Sequence, residues 1–264
     1  MCGIAGIFGG AQPEARRAAV DRMLEVMRQR GPDGKGTWAD PHLILAHRRL
    51  SIIDRSAAGA QPMVSPNGRF VVSFNGEILN HRELCEEWQI DRRTLRSSSD
   101  TEILLIGWER FGHKALESLV GPFAIAMYDS LEHRLWLVRD RLGERPLFYH
   151  QSTEGLTFGS TIEAVLQAPW VAREFDPIAV EELVTLRYVC SPRSIMRDVQ
   201  KLPPGYLLVT DANQTRVEPW WQPRFGSEQN GSRPLRGAPR AAEFDRLLTR
   251  AVNRGARRAG PDAR

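Results

Sequence analysis

Cys2 stands directly behind the initiator methionine in Met1-Cys2-Gly3-Ile4-Ala5-Gly6-Ile7-Phe8. Cysteine is small enough for Met1 to be removed, which would leave one residue carrying both a thiol and a free α-amine. An α-amine has a solution pKa of about 7.7–8.0, so it can take the proton of the neighbouring thiol and serve as its base. Cysteine at position 2 is by itself an ordinary occurrence. Its weight comes from further segments that hold what a thiol site acting on a zwitterionic amide would need. Arg49, in the run Ala46 to Asp54, can offer a planar guanidinium fork to a carboxylate, whereas Arg48 reads as a surface ion pair. Asn75-Gly76 is a common tight turn, but the Asn amide and a Gly backbone N–H can also converge as an oxyanion hole. Asp100, in Ser98-Ser99-Asp100-Thr101-Glu102, is either a helix cap or an anion for a substrate ammonium. Arg30-Gly31-Pro32-Asp33-Gly34 reads as a turn.

The elements that must position these groups are legible from periodicity. β-Prone runs fall at Ile4–Phe8, Leu43–Arg48, Phe70–Asn75, Phe123–Asp129, Leu135–Arg139, Leu147–His150, Leu156–Gly159 and Tyr206–Thr210. The stretch Tyr128 to Arg134 reads as a hairpin loop. Helical spacing predicts Glu14–Arg28, Arg82–Trp88, Thr101–Phe111 and Pro177–Leu186. The first of these carries Ala19, Met23, Val26 and Met27 on one face. Cys2 would thus sit on the end of a buried strand, and Asp100 at the start of a helix.

Length and composition narrow the class. The 264 residues, 42% of them apolar, suffice for one large domain or two small ones. No apolar run approaches the roughly 20 residues of a membrane span, and no signal-peptide pattern opens the chain. A cytoplasmic protein without membrane contact is expected. Three widely spaced cysteines, Cys2, Cys85 and Cys190, suggest neither a disulfide framework nor a zinc site. Cys85 and Cys190 read as small buried hydrophobes. His47, His81, His113 and His133 read as turn or surface histidines, and no cluster has metal-ligand spacing, so no metal is expected. The net charge of +4 concentrates at the end: from Arg224 onward there are ten arginines against four acidic residues. No aromatics are interleaved with them, so nucleic-acid binding is not expected.

The motifs, taken in order, resemble the glutaminase domain of glutamine-hydrolysing asparagine synthetases, which are class II amidotransferases. Those carrying the resemblance are Met1 to Ile7, Arg30 to Asp33, Ala46 to Asp54, Gly59-Ala60-Gln61-Pro62-Met63, Asn75 to Ile78 with Asn80-His81, and Ser99 to Glu102. Arg139 to Gly143 with Pro146-Leu147, Phe158-Gly159-Ser160 and Lys201 to Gly205 complete the set. The resemblance implies an α+β, four-layer αββα N-terminal-nucleophile hydrolase fold, with two stacked antiparallel sheets between helical layers. It implies that Cys2 attacks the carboxamide of L-glutamine to give a γ-glutamyl thioester and ammonia, with its own α-amine as base and then acid. Asn75 and the Gly76 N–H would hold the oxyanion. Arg49, with the Ile53 backbone nearby, would hold the α-carboxylate, and Glu77 and Asp100 the α-ammonium. No cofactor is implied for that step; ATP and Mg would belong to a synthetase domain.

Gln29, Leu79, Pro122 and Thr161 depart from residues usual in the family, and none of them removes a catalytic group. The expected organisation is a glutaminase domain over 2–222, a Gly- and Pro-containing linker over 223–240, and at 241–264 the truncated start of a synthetase-type domain. That last segment opens with Phe244, Leu247, Leu248, Ala251 and Val252 at helical spacing. The synthetase Ser-Gly-Gly-x-Asp-Ser loop does not occur, so amide synthesis is not expected of these residues alone. Two alternatives stay open: an amidotransferase serving another carboxylate acceptor, and a non-catalytic glutamine-binding remnant. A homodimer or a separate synthetase-domain chain are the protein partners the resemblance allows.

Overall fold

The structure, a computed structural model, describes residues 1–51, 54–223 and 238–256. In chain order its strands are β1 (Gly3–Phe8), β2 (Gly34–Ala39), β3 (Leu43–Arg49), β4 (Met63–Val64), β5 (Phe70–Gly76) and β6 (Phe123–Asp129). They continue as β7 (Arg134–Arg139), β8 (Phe148–Ser152), β9 (Gly155–Gly159), β10 (Gln200–Lys201), β11 (Tyr206–Thr210) and β12 (Thr215–Pro219). The helices are α1 (Pro13–Val26), α2 (His81–Glu87), α3 (Asp100–Phe111), α4 (Ile162–Val165), α5 (Pro177–Leu186) and α6 (Ala238–Ala256). The strands form two six-stranded sheets, ordered β10-β8-β9-β1-β3-β2 and β12-β11-β7-β6-β5-β4, in which neighbouring strands run antiparallel.

Alternation along the central strands assigns each face to a layer. In β1 and β3, Ile4, Phe8, Leu43 and Leu45 face the second sheet, where they meet Val71, Ala124, Ala126 and Tyr128. Their other faces, Ala5, Ile7, Ile44 and Ala46, pack on Ala19, Val20 and Met23 of α1 and Ala164 and Val165 of α4. The outer face of the second sheet, Val72, Phe74, Ile125 and Met127, packs on Leu84 of α2 and Leu104 and Trp108 of α3. Helix, sheet, sheet, helix is therefore the layer order, as expected. These strands are buried on both faces, which is why they read as near-continuous apolar runs.

The predicted strands and helices are all present, with small shifts at their ends. The sequence reading did not anticipate β2, β4, β10, β12 or the one-turn α4. Of the expected 223–240 linker, residues 224–237 lie outside the described residues, and α6 begins inside that stretch at Ala238. No described helix is long and apolar enough to cross a membrane. Two side-chain expectations are corrected. His47 is fully buried between the sheets, neither turn nor surface, because strand alternation turns it to the same inward face as Leu45. Arg48 does reach Glu25 at 3.4 Å, but it is only 7% exposed, and its Nε donates to the Leu24 carbonyl at the end of α1 (2.7 Å).

Candidate active site

β1 and β3 end together, with Gly3 opposite Arg48, so Cys2 and Arg49 stand side by side at one end of the first sheet. β5 of the second sheet ends at the same end of the sandwich with Asn75 and Gly76. Between them opens a cleft lined by Cys2, Arg49, Asn75, Gly76, Glu77 and Asp100, among others. Five of the residues expected from sequence to form a site are thus brought together with Cys2. Ile53 lies outside the described residues.

Cys2 is held from two directions. Its half-buried thiol lies 3.6 Å from the Leu50 carbonyl and accepts the Leu50 N–H at 3.4 Å. Burial pushes the thiol pKa up, against the lowering effects of that N–H, the chain's amino terminus and Arg49. A thiol in this setting stays protonated near neutral pH and needs a base. The Cys2 carbonyl accepts from Arg30 Nε at 2.7 Å. With the Asn75 amide oriented to satisfy both of its ends, Asn75 Nδ2 donates to the same carbonyl at 3.0 Å and its oxygen accepts from Arg30 Nη2 at 3.2 Å. One guanidinium therefore fixes the nucleophile's main chain and the oxyanion-hole candidate together. Sequence reading placed Arg30 only in a turn and a family motif. Its chemistry appears when Arg30-Gly31-Pro32-Asp33 is seen fastened to the end of β3, the Asp33 N–H donating to the Arg49 carbonyl (3.0 Å) and the Ser51 N–H to Asp33 Oδ2 (2.8 Å).

Gly76 is required by space. A Cβ there would lie 2.3 Å from the Pro122 carbonyl oxygen and 2.6 Å from Phe123 Cα. Its N–H direction follows from the ladder. The Phe74 N–H leaves β5 on the edge away from β6, toward Gln61 Oε1 (2.6 Å), and the Glu77 N–H points the other way, to the Pro122 carbonyl (2.9 Å). Because successive N–H groups alternate sides, the Gly76 N–H shares the Phe74 direction and faces the open edge at the cleft.

The charged groups of the cleft are held by different segments. Arg49 donates from Nη1 to the Ser56 carbonyl (2.8 Å) and from Nη2 to the Asp54 carbonyl. Gly59 leaves room for it, since a Cβ there would come within 2.5 Å of Nη2. The Asp54 carboxylate accepts from the Ser56 and Ser98 N–H groups, tying this loop to the segment before α3. Asp100 opens α3 and accepts the Ile78 N–H at 2.8 Å. Burial and the neighbouring Glu77 push its pKa up to about 6, against the lowering effect of that N–H. Ser99 caps the helix, its hydroxyl accepting the Thr101 N–H, so Asp100 is not the cap. Arg49 together with Glu77 and Asp100 offers an opposite charge to each of the α-carboxylate and α-ammonium that a zwitterionic amino acid carries on one carbon, and the same cleft holds the thiol and the N–H donors.

A glutamine amidotransferase domain model matches residues 1–221. Asparagine synthetase [glutamine-hydrolyzing] 1 of Bacillus subtilis is 33% identical over 78% of this chain and 33% of its own length. Asparagine synthetase B of Escherichia coli is 38% identical over 66% of the chain and 32% of its own. The chain spans about a third of the length of these curated relatives. Among solved structures, the glutamine PRPP amidotransferase of B. subtilis complexed with ADP and GMP superposes with a TM-score of 0.60 at 18% identity, covering 84% of this chain and 50% of that one. At that identity the likeness carries the fold alone, which is that of N-terminal-nucleophile hydrolase amidotransferases.

Proposed function

The chain belongs to the glutamine amidotransferase domain family, and from that premise we propose that it hydrolyses glutamine through a thioester on Cys2. The observation that carries the proposal is the clasp of Arg30 on both Cys2 and Asn75, within a cleft that also holds Arg49, Glu77 and Asp100. Met1 is 51% exposed at the mouth of the cleft, so its removal sacrifices no core. The freed α-amine of Cys2 takes the thiol proton, and the thiolate attacks the side-chain carbonyl carbon of glutamine. Charge developing on the oxygen is met by Asn75 Nδ2 and the Gly76 N–H, donors already in place before the reaction. As the tetrahedral intermediate collapses, the C–N bond breaks, the amine returns its proton to the departing nitrogen, and ammonia leaves. Water, deprotonated by the same amine, then cleaves the thioester to glutamate. Arg49 holds the α-carboxylate in this reading, and Glu77 and Asp100 hold the α-ammonium. An analogue lacking either charge would leave buried partners unmatched.

The naming of the matched relatives supports a finer proposal, that the ammonia serves asparagine formation at a synthetase half. ATP and Mg would act there, on the acceptor, and not in this cleft. Residues 2–222 form the glutaminase unit in this proposal. The test is ammonia and glutamate release by the purified protein, with intact mass reporting Met1 removal. We expect steady turnover that Cys2→Ala abolishes; turnover retained by Cys2→Ala overturns the proposal.

A further inference from the structure

We infer that Gln61 is a positioning residue that sets the distance between the oxyanion donors and the carboxylate for the substrate ammonium; the inference rests on the glutaminase reading above. Gln61 lines the cleft, and its amide bridges two elements. Oε1 accepts the Phe74 N–H at 2.6 Å, and Nε2 donates to Thr101 Oγ1 at 3.2 Å. Phe74 immediately precedes Asn75-Gly76, and Thr101 immediately follows Asp100. One side chain therefore links the strand that carries the oxyanion donors to the helix end that carries the anion.

Its place on the sheet edge explains why a side chain is needed there. β4 pairs with β5 only at Val71 and Val72, so the edge beyond has no strand partner. Gln61 Oε1 fills the Phe74 rung. The next rung on that edge is the Gly76 N–H, left for the carboxamide oxygen of the substrate. Gln61 thus acts as the last residue of a missing strand, and the substrate continues the ladder after it. The main chain of Gln61 is itself seated hard on β2: a Cβ at Gly36 would come within 2.1 Å of the Gln61 carbonyl oxygen, so that close approach needs glycine. Anchored at its backbone, the amide works as a fixed-length spacer. Recognition of the ammonium at Asp100 then places the carboxamide on the Gly76 rung. Without the spacer the two ends of the substrate are read independently.

The test compares glutamine with glutaramate, the same skeleton without the α-amino group, in the Met1-processed protein. Gln61→Met keeps the length and removes both bonds. Thr101→Val severs only the Asp100 end, and Thr101→Ser restores it. For Gln61→Met we expect kcat/KM for glutamine to fall on the order of 10- to 100-fold, the cost typical of a small misplacement of reacting groups. The preference for glutamine over glutaramate should fall with it, by about tenfold. Alkylation of Cys2 by iodoacetamide should keep its wild-type rate. Thr101→Val should lose preference with kcat held within a few-fold, and Thr101→Ser should regain it. The inference is overturned if the folded variants keep the wild-type preference, whether their turnover is unchanged or uniformly reduced. Should Gln61→Met fail to fold, the Thr101 pair decides by the same ratio. A wild-type protein that releases no ammonia would instead overturn the glutaminase reading.

Discussion

Asp100 and His47 are both fully buried ionisable groups, and their pH effects oppose each other. Asp100 has its folded pKa raised from 3.8 to about 6, so the folded state binds the proton more tightly, and its contribution stabilises the fold as pH falls from 6 toward 3.8. His47 is lowered from 6.5 to about 3 by burial and by Arg49, so only the unfolded chain gains its proton, and stability is lost as pH falls from 6.5 toward 3. Ser73 commits its one hydroxyl proton to the Ala46 carbonyl, so His47 Nδ1 is the donor in their 3.0 Å contact. Its buried Nε2 has no partner among the described residues, which fits a neutral ring. Each group is worth about 1.4 kcal/mol per pH unit inside its window, so between pH 6 and 4 they nearly cancel. In the wild type the acid slope of urea unfolding across that range is then left to the hydrogen-bonded carboxylates such as Asp54, Glu102 and Asp129, whose lowered pKa values cost stability as pH falls. Asp100→Asn should raise stability at pH 7 by up to about 3 kcal/mol and steepen the acid loss, while His47→Leu should lose less stability than the wild type on mild acidification. Because only ionised Asp100 can hold an ammonium, KM for glutamine should rise as pH drops below 6, and Asp100→Asn should raise KM above pH 6 and approach the wild-type value well below it.

At the scale of elements, what positions the chemistry is the shared termination of β1, β3 and β5. Gly76→Ala tests the last of these. With a Cβ 2.3 Å from the Pro122 carbonyl oxygen, the strand end must move away from β6. We expect a stability loss of about 1–3 kcal/mol, read in denaturant, together with a larger fall in kcat than in 1/KM, since the Gly76 N–H acts on the developing oxyanion. A variant with wild-type kcat would remove Gly76 from the oxyanion hole. The elements that sequence reading passed over are either too short to show a period, as β4, β10 and α4 are, or lack an apolar signature, as β2 and β12 do. β2 buries neither face fully and opens with Gly34 and Gly36, and β12 (Thr215–Pro219) carries Arg216 and Glu218 outward. Both lie at sheet edges, where one neighbour supplies the ladder and little apolar surface is needed.

On the scale of the whole molecule, α6 stands apart from the layered body. Phe244, Leu247, Leu248 and Val252 form a stripe of large apolar side chains between 48% and 64% exposed. Arg254 pairs with Glu83 of α2 at 2.5 Å, and an ion pair at the surface contributes at most about 1 kcal/mol. Truncation after residue 222 should therefore leave the thermal midpoint within about 4 °C of the full chain. It should also reduce self-association, because the apolar stripe is gone. Scanning calorimetry and size-exclusion chromatography check both, and loss of a cooperative transition would show that the domain needs α6.

The residue types at the site, their order along the chain and most strands and helices were legible in the sequence, because a buried strand shows as an apolar run and a nucleophile beside Met1 needs no partner to be noticed, while the layer order came from the resemblance. Arg49, Asn75, Gly76 and Asp100 could be named from motif and resemblance. Only the tertiary structure decided how they are held. Arg30 grips Cys2 and Asn75 across separations of 28 and 45 positions in sequence, Gln61 spans from β5 to α3, and His47 turns inward to meet Ser73 of the other sheet. Such contacts join residues distant in the chain through side chains whose polarity alone suggests solvent. Their direction is fixed by strand register and by which glycines allow backbones to close, and neither quantity is a property of any local stretch of sequence.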